Sequence, residues 1–130
     1  MVLDASAVLA YLKDEPGAEA VYAAVGEGAL VSAVNWAEVL SKLTEGGQDP
    51  GDATRALTDA GILDQGLIIH PLDGSQAVEI ARLRPLTREA GLSLGDRSCL
   101  ALAGALGLPA LTADRVWAGL NLELEVRLIR

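Results

Sequence analysis

Short apolar runs alternate along the chain with longer stretches in which apolar residues recur at helical spacing. Met1-Val2-Leu3 ends at Asp4, and Ser6 can cap a helix over Ala7–Lys13. After the turn Asp14-Glu15-Pro16-Gly17, a helix is expected over Ala18–Val25, broken at Gly26-Glu27-Gly28. Ala29-Leu30-Val31 reads as a buried strand, and Ser32 caps a helix over Ala33–Thr44 that Gly46-Gly47 ends. Asp49-Pro50 opens another helix, expected to run to Leu63, before the β-rich run Leu67-Ile68-Ile69. Helical spacing returns over Asp73–Arg84 and, after Ser93, over Leu94–Leu106. Ala110-Leu111-Thr112 and Glu125–Ile129 complete five strand candidates. Short apolar strands separated by helices predict a three-layer α/β/α domain with a short, mostly parallel central sheet.

At 130 residues the chain has material for one core, so a single domain over residues 1–130 is expected. Apolar residues make up 51% and mean hydropathy is +0.32. That composition argues against disorder and leaves apolar surface for a partner. The longest uncharged stretch, Ser98–Ala113, contains Pro109 and is shorter than the roughly 20 residues a membrane-spanning helix needs. Asp4 follows Met-Val-Leu directly, leaving no export signal at this start, and Cys99 is the only cysteine. Both features point to a reducing cytoplasm.

Net charge is −8, and it is unevenly spread. Residues 1–65 hold 3 Lys/Arg against 11 Asp/Glu, whereas residues 66–130 hold 7 of each. Arg82, Arg84, Arg88 and Arg97 form the one local basic concentration. Binding to nucleic acid by bulk charge is therefore excluded, and two Tyr with two Trp are too few for a stacking platform.

Most acids fall in turns or on polar helix faces, where solvation accounts for them. Four are set in apolar text: Asp4, Glu38, Asp96 and Asp114. Burying carboxylates there is costly unless each is paired or bound to a cation. Asp4 and Asp114 follow predicted parallel strands, at the edge where ligands bind in open α/β sheets. Asp96 lies in the first turn of its helix, and Glu38 shares a helix face with Asn35 at i−3. The four are expected to converge on one cleft, where a hard divalent cation, Mg²⁺ or Mn²⁺, would relieve their repulsion and suit phosphoryl chemistry. Ser6, Asn35, Thr112 and Arg97 are further candidates for contacting substrate or supporting the acids. Structural roles compete: Ser93 and Asp96 match a capping box, Asp4 suits a helix N-terminus, Asp114 can cap the turn Arg115–Ala118, and Ser32 and Asn35 can cap their helix.

Other chemistries lack their residues. His70 is the sole histidine and precedes Pro71, Cys99 sits in an apolar helix, and no nucleophile elbow, phosphate-binding loop or zinc ligand set occurs. A phosphatase-like metal hydrolase remains open, although Asp4-Ala5-Ser6 lacks the second acid of the haloacid type. A non-catalytic binding module also remains open, but would be expected to have lost one acid.

Asp4-Ala5-Ser6-Ala7, Ser32-Ala-Val-Asn-Trp-Ala-Glu38-Val, Leu92-Ser-Leu-Gly-Asp96 with Cys99-Leu-Ala-Leu-Ala103, and Leu111-Thr-Ala-Asp114 together resemble the PIN-domain ribonucleases, within them the VapC toxins. The resemblance spans nearly the whole chain in order. It implies a Mg²⁺- or Mn²⁺-dependent endoribonuclease, with Asp4, Glu38, Asp96 and Asp114 as metal-binding catalytic acids acting on RNA. It also implies a homodimer and a cognate VapB-like antitoxin that wraps the toxin and blocks its site.

Overall fold

The computed structural model describes residues 1–130. Five strands, β1 (Val2–Leu3), β2 (Ala29–Ser32), β3 (Leu67–His70), β4 (Ala110–Thr112) and β5 (Val126–Leu128), form one sheet in the order β3-β2-β1-β4-β5. Every pairing is parallel. The crossovers carry six helices: α1 (Ala5–Leu12), α2 (Ala18–Glu27), α3 (Ala33–Glu45), α4 (Pro50–Asp59), α5 (Gly74–Thr87) and α6 (Leu94–Leu106). A 3-10 helix over Arg115–Gly119 follows β4. The expected layered α/β fold is present.

Alternation along the strands divides the core. Leu3, Val31 and Leu111 lie in register on one face and pack with Val8, Val21, Trp36 and Val39 from α1, α2 and α3. Val2 and Ala110 face the other way, against Cys99, Leu100, Leu102 and Trp117. Period-two strands between helices bury both faces, which makes the strand runs almost wholly apolar. No helix is long and apolar enough to cross a membrane.

Three element boundaries differ from the sequence reading. Asp4, not Ser6, is the N-cap of α1: its side chain accepts from Ala7 N–H at 2.8 Å, so the helix begins at Ala5. Helix α4 stops at Asp59, because Gly61 takes a left-handed φ of +75° and turns the chain. Leu63 is then free to bridge Leu67 and enter the core. Helix α5 continues past Arg84 through Pro85 to Thr87, whose hydroxyl donates to the Leu83 carbonyl at 2.7 Å. Thr87 is fully buried and α5 packs along α6, so tertiary packing overrides the break that proline favours.

The topology sets the functional edge. In a parallel sheet all carboxyl ends share one side, and the flanking strands β2 and β4 both meet β1 in the centre. Asp4 leaves β1 there, level with the ends of β2 at Ser32 and β4 at Thr112. Helices α1 and α3 start at the same edge.

Candidate functional site

Asp4 is only 4% exposed and is held by three donors. Ala7 N–H supplies one, the Thr112 hydroxyl donates to Oδ2 at 2.6 Å, and the Ser6 hydroxyl lies 2.7 Å from Oδ1. Ser6 Oγ also accepts from Ala113 N–H at 2.9 Å, and Thr112 Oγ1 accepts from Asp114 N–H at 3.0 Å. Two hydroxyls thus lock the end of β1 to the end of β4. Ser6 and Thr112, singled out in the sequence, both touch an acid directly.

Glu38 reaches toward α6 from α3. Its Oε1 accepts from Asn35 Nδ2 at 3.0 Å, and the same amide donates to the Gly95 carbonyl at 2.9 Å. The carboxylate lies over the Gly95 Cα, where a Cβ would come within 1.8 Å of Oε1. Sequence reasoning missed Gly95. Its signal was a glycine at the second position of a helix otherwise rich in good helix formers.

Asp96 faces Asp4 and Glu38 electrostatically, yet its carboxylate completes the capping box: Oδ2 accepts from Ser93 N–H at 2.9 Å while Ser93 Oγ accepts from Asp96 N–H at 3.1 Å. Asp114 is exposed and caps the 3-10 helix through Val116 N–H at 3.0 Å. It connects to Asp4 only through Thr112. No three acid, His or Cys side chains are gathered as a ready metal cage, in place of the four converging acids that the sequence leads one to expect. Local capping is the reason, since it draws the Asp96 and Asp114 carboxylates back onto their own helix ends.

Burial raises the Asp4 carboxyl above its usual range against the opposing hydrogen bonds, and the Asp96 charge adds to the rise. Glu38 is also raised, first by burial and then by Asp96 and Asp4. Burial likewise pushes the Cys99 thiol well up, with the three acids adding to it. Cys99 is wholly buried among apolar neighbours and remains a thiol, as its place in the core requires. No Lys or Arg forms an ion pair with Asp4, Glu38, Asp96 or Asp114.

The other candidates divide. Asn35 is buried against Glu38, whereas Arg97 turns to α5 and donates to the Ile80 carbonyl at 3.1 Å. Arg82, Arg84 and Arg88 are exposed, and Arg82 pairs with Glu79. His70 lies at the end of β3 with Nδ1 3.0 Å from Gln76 Nε2, a contact that fastens β3 to α5.

The sequence matches the PIN domain over residues 1–121. The chain belongs to the PIN-domain family. Solved structures share its fold: a toxin-antitoxin complex from Klebsiella pneumoniae (TM-score 0.71, 19% identity, 99% of this chain and 97% of that one) and DNA-bound VapBC from Salmonella typhimurium (0.71, 14%, 99% and 97%). FitAcB from Neisseria gonorrhoeae is also similar (0.65, 22%, 96% and 94%). A direct sequence search among curated proteins finds no match.

A divalent cation is the group this PIN domain implies, and the donor set suits one. All donors are oxygens, the Asp4 and Glu38 carboxyls are destabilised as anions by burial and by the Asp96 charge, and no Lys or Arg is ion-paired with them. Asp96 would have to exchange its cap for a ligand role, a loss of about 1 kcal/mol.

Thr112→Val is expected to lower stability by about 1–3 kcal/mol, because it leaves Asp114 N–H and Asp4 Oδ2 without their shared hydroxyl. Urea denaturation checks this. An unchanged midpoint would mean that the hydroxyl bridge contributes nothing.

Proposed function

We propose that this PIN domain is a Mg²⁺- or Mn²⁺-dependent endoribonuclease acting as the toxin of a toxin-antitoxin pair. The observation that supports the reading is Asp4, buried at the carboxyl edge, with Glu38 and Asp96 near enough for their charges to act on one another and no Lys or Arg in an ion pair with any of the three. Asp4, Glu38 and Asp96 are the residues that would hold the ion, with Asp114 at the rim. An ion held there would supply Lewis acidity and the means to activate water for phosphodiester hydrolysis. The chain's own part is orientation. Thr112, Ser6 and Ala7 N–H hold the Asp4 carboxylate in one orientation, and the surrounding apolar core keeps bulk water from the back of the site.

His70 has no place in this reading, and cleavage is expected to survive His70→Ala. Phosphates flanking the scissile bond need cations, and Arg82, Arg84 and Arg88 are the exposed clustered ones. Arg82→Glu with Arg84→Glu is expected to weaken RNA binding about 10-fold and flatten its salt dependence by roughly two phosphate contacts. Fluorescence anisotropy across a salt series measures both, and unchanged affinity with an unchanged slope assigns these arginines to surface charge balance instead.

The toxin role draws on the shared fold with toxin-antitoxin proteins and on exposed apolar side chains. Tyr22, Leu86, Leu94, Val78 and Val116 are each half or more exposed, apolar side chains available to a homodimer contact and to an amphipathic VapB-like antitoxin segment. Action on cellular RNA places the protein in the cytoplasm. Expression of the intact chain in a bacterial host is expected to arrest growth, and Glu38→Gln to relieve the arrest at equal protein level. Normal growth with the four acids intact would overturn the toxin role.

A further inference from the structure

Asn35 is 1% exposed, yet its amide does not serve the hydrophobic core in which it is buried. Both of its N–H bonds are spent on acceptors of the site: Glu38 Oε1 at 3.0 Å and the Gly95 carbonyl at 2.9 Å. Two acceptors fix which end of the amide carries nitrogen, because the reversed group would set its oxygen against two other oxygens. The remaining Oδ1 is buried and has no partner. A buried acceptor left unpaired is a net loss to folding, so stability alone does not explain an asparagine at this position. The other buried residues of α3, Trp36 and Val39, are apolar.

Gly95 completes the arrangement from the opposite side. A Cβ at this position would stand 1.8 Å from Glu38 Oε1, 2.6 Å from its Cδ and 3.0 Å from Oε2. Gly95 has no positive φ, so no backbone strain demands glycine there. What demands it is the space the carboxylate occupies. The seat therefore has a floor, the bare Cα of Gly95, and one polar wall, the Asn35 amide that also ties α3 to α6.

We propose that Asn35 and Gly95 are positioning residues that seat the Glu38 carboxylate for cation binding, holding one oxygen in a hydrogen bond and leaving the other for the ion. This rests on the metal-dependent reading above and adds how α3 and α6 are set against each other at the site. Partners that orient a ligating group typically govern 10- to 100-fold of metal affinity. Asn35→Ala removes the wall and Gly95→Ala fills the floor, so both displace Glu38 by independent means.

The test is Mn²⁺ binding to the purified protein followed by electron paramagnetic resonance, with melting temperature and RNA-cleavage kinetics measured alongside. Each variant is expected to raise the Mn²⁺ dissociation constant 10- to 100-fold and to lower kcat with little change in KM for RNA. Gly95→Ala is expected to melt no lower than the parent, since alanine is the better helix former and a side chain that gives way relieves the contact. In a Glu38→Gln background neither substitution should weaken Mn²⁺ binding further, because both act through the same carboxylate. Wild-type affinity in both variants overturns the seat, as does a full additional loss in the Glu38→Gln background. A parent protein that binds no Mn²⁺ overturns the metal reading itself and the seat with it.

Discussion

Asp4→Asn and Glu38→Gln are each expected to lower RNA cleavage at least about 100-fold while the protein stays folded. A divalent cation is asked to supply several kcal/mol of transition-state stabilisation, and each 1.36 kcal/mol lost is about tenfold in rate. The amides keep the shape of the side chains but lose the charge that holds the ion. Asparagine remains a good N-cap, so α1 keeps the bond from Ala7 N–H. Circular dichroism and single-turnover cleavage read the two properties separately. A folded variant with parental activity would remove that residue from the site, and an unfolded one would show that its role is structural.

The cation itself is expected to stabilise the fold, and the effect should grow with pH. Asp4 and Glu38 carry pKa values raised by burial and by neighbouring carboxylates. The folded protein therefore binds these protons more tightly than the unfolded chain does. Stability from these two groups is highest below the ordinary carboxyl range and falls as pH rises through the raised values. Above that window the metal-free protein holds ionised carboxylates in unfavourable surroundings, and Asp4→Asn is expected to melt higher than the parent. Below it the difference should vanish. Mn²⁺ at a hundred times its dissociation constant adds about 2.7 kcal/mol to the parent, a rise in melting temperature of roughly 10 °C for a domain of this size. Thermal unfolding from pH 3 to 8, with and without Mn²⁺, tests the sign. A parent that gains nothing from Mn²⁺ at any pH would contradict the account.

Much of the architecture was legible because parallel strands buried on both faces must be short apolar runs. Val2-Leu3, Ala29-Leu30-Val31 and Ala110-Leu111-Thr112 all became strands where hydrophobic patterning put them. The boundaries that moved were decided by contacts distant in sequence. Leu63 left its helix to join the core, and Thr87 extended α5 past Pro85 because it is buried against neighbouring elements. Such packing leaves no local mark.

Acids in apolar text singled out Asp4, Glu38 and Asp96, since desolvating a carboxylate needs a reason, and the fold buries Asp4 and partly buries the other two. The competing cap readings also proved correct as local geometry: Asp4, Asp96 and Asp114 all cap helical turns. A carboxylate at a helix start can cap or ligate, and the residue pattern for the two is the same. The seat of Glu38 was hidden for a different reason. Gly95 and Asn35 are 60 residues apart, and nothing in either segment announces that α6 will present a bare Cα to α3.

The most direct test of the central claim is cleavage of single-stranded RNA by purified protein in three conditions: with EDTA, with Mg²⁺ or Mn²⁺ restored, and with Glu38→Gln under restored metal. The account predicts that cleavage stops in EDTA, returns with either ion and stays absent in the variant. Cleavage that continues in EDTA, or that survives Glu38→Gln at full rate, would contradict it.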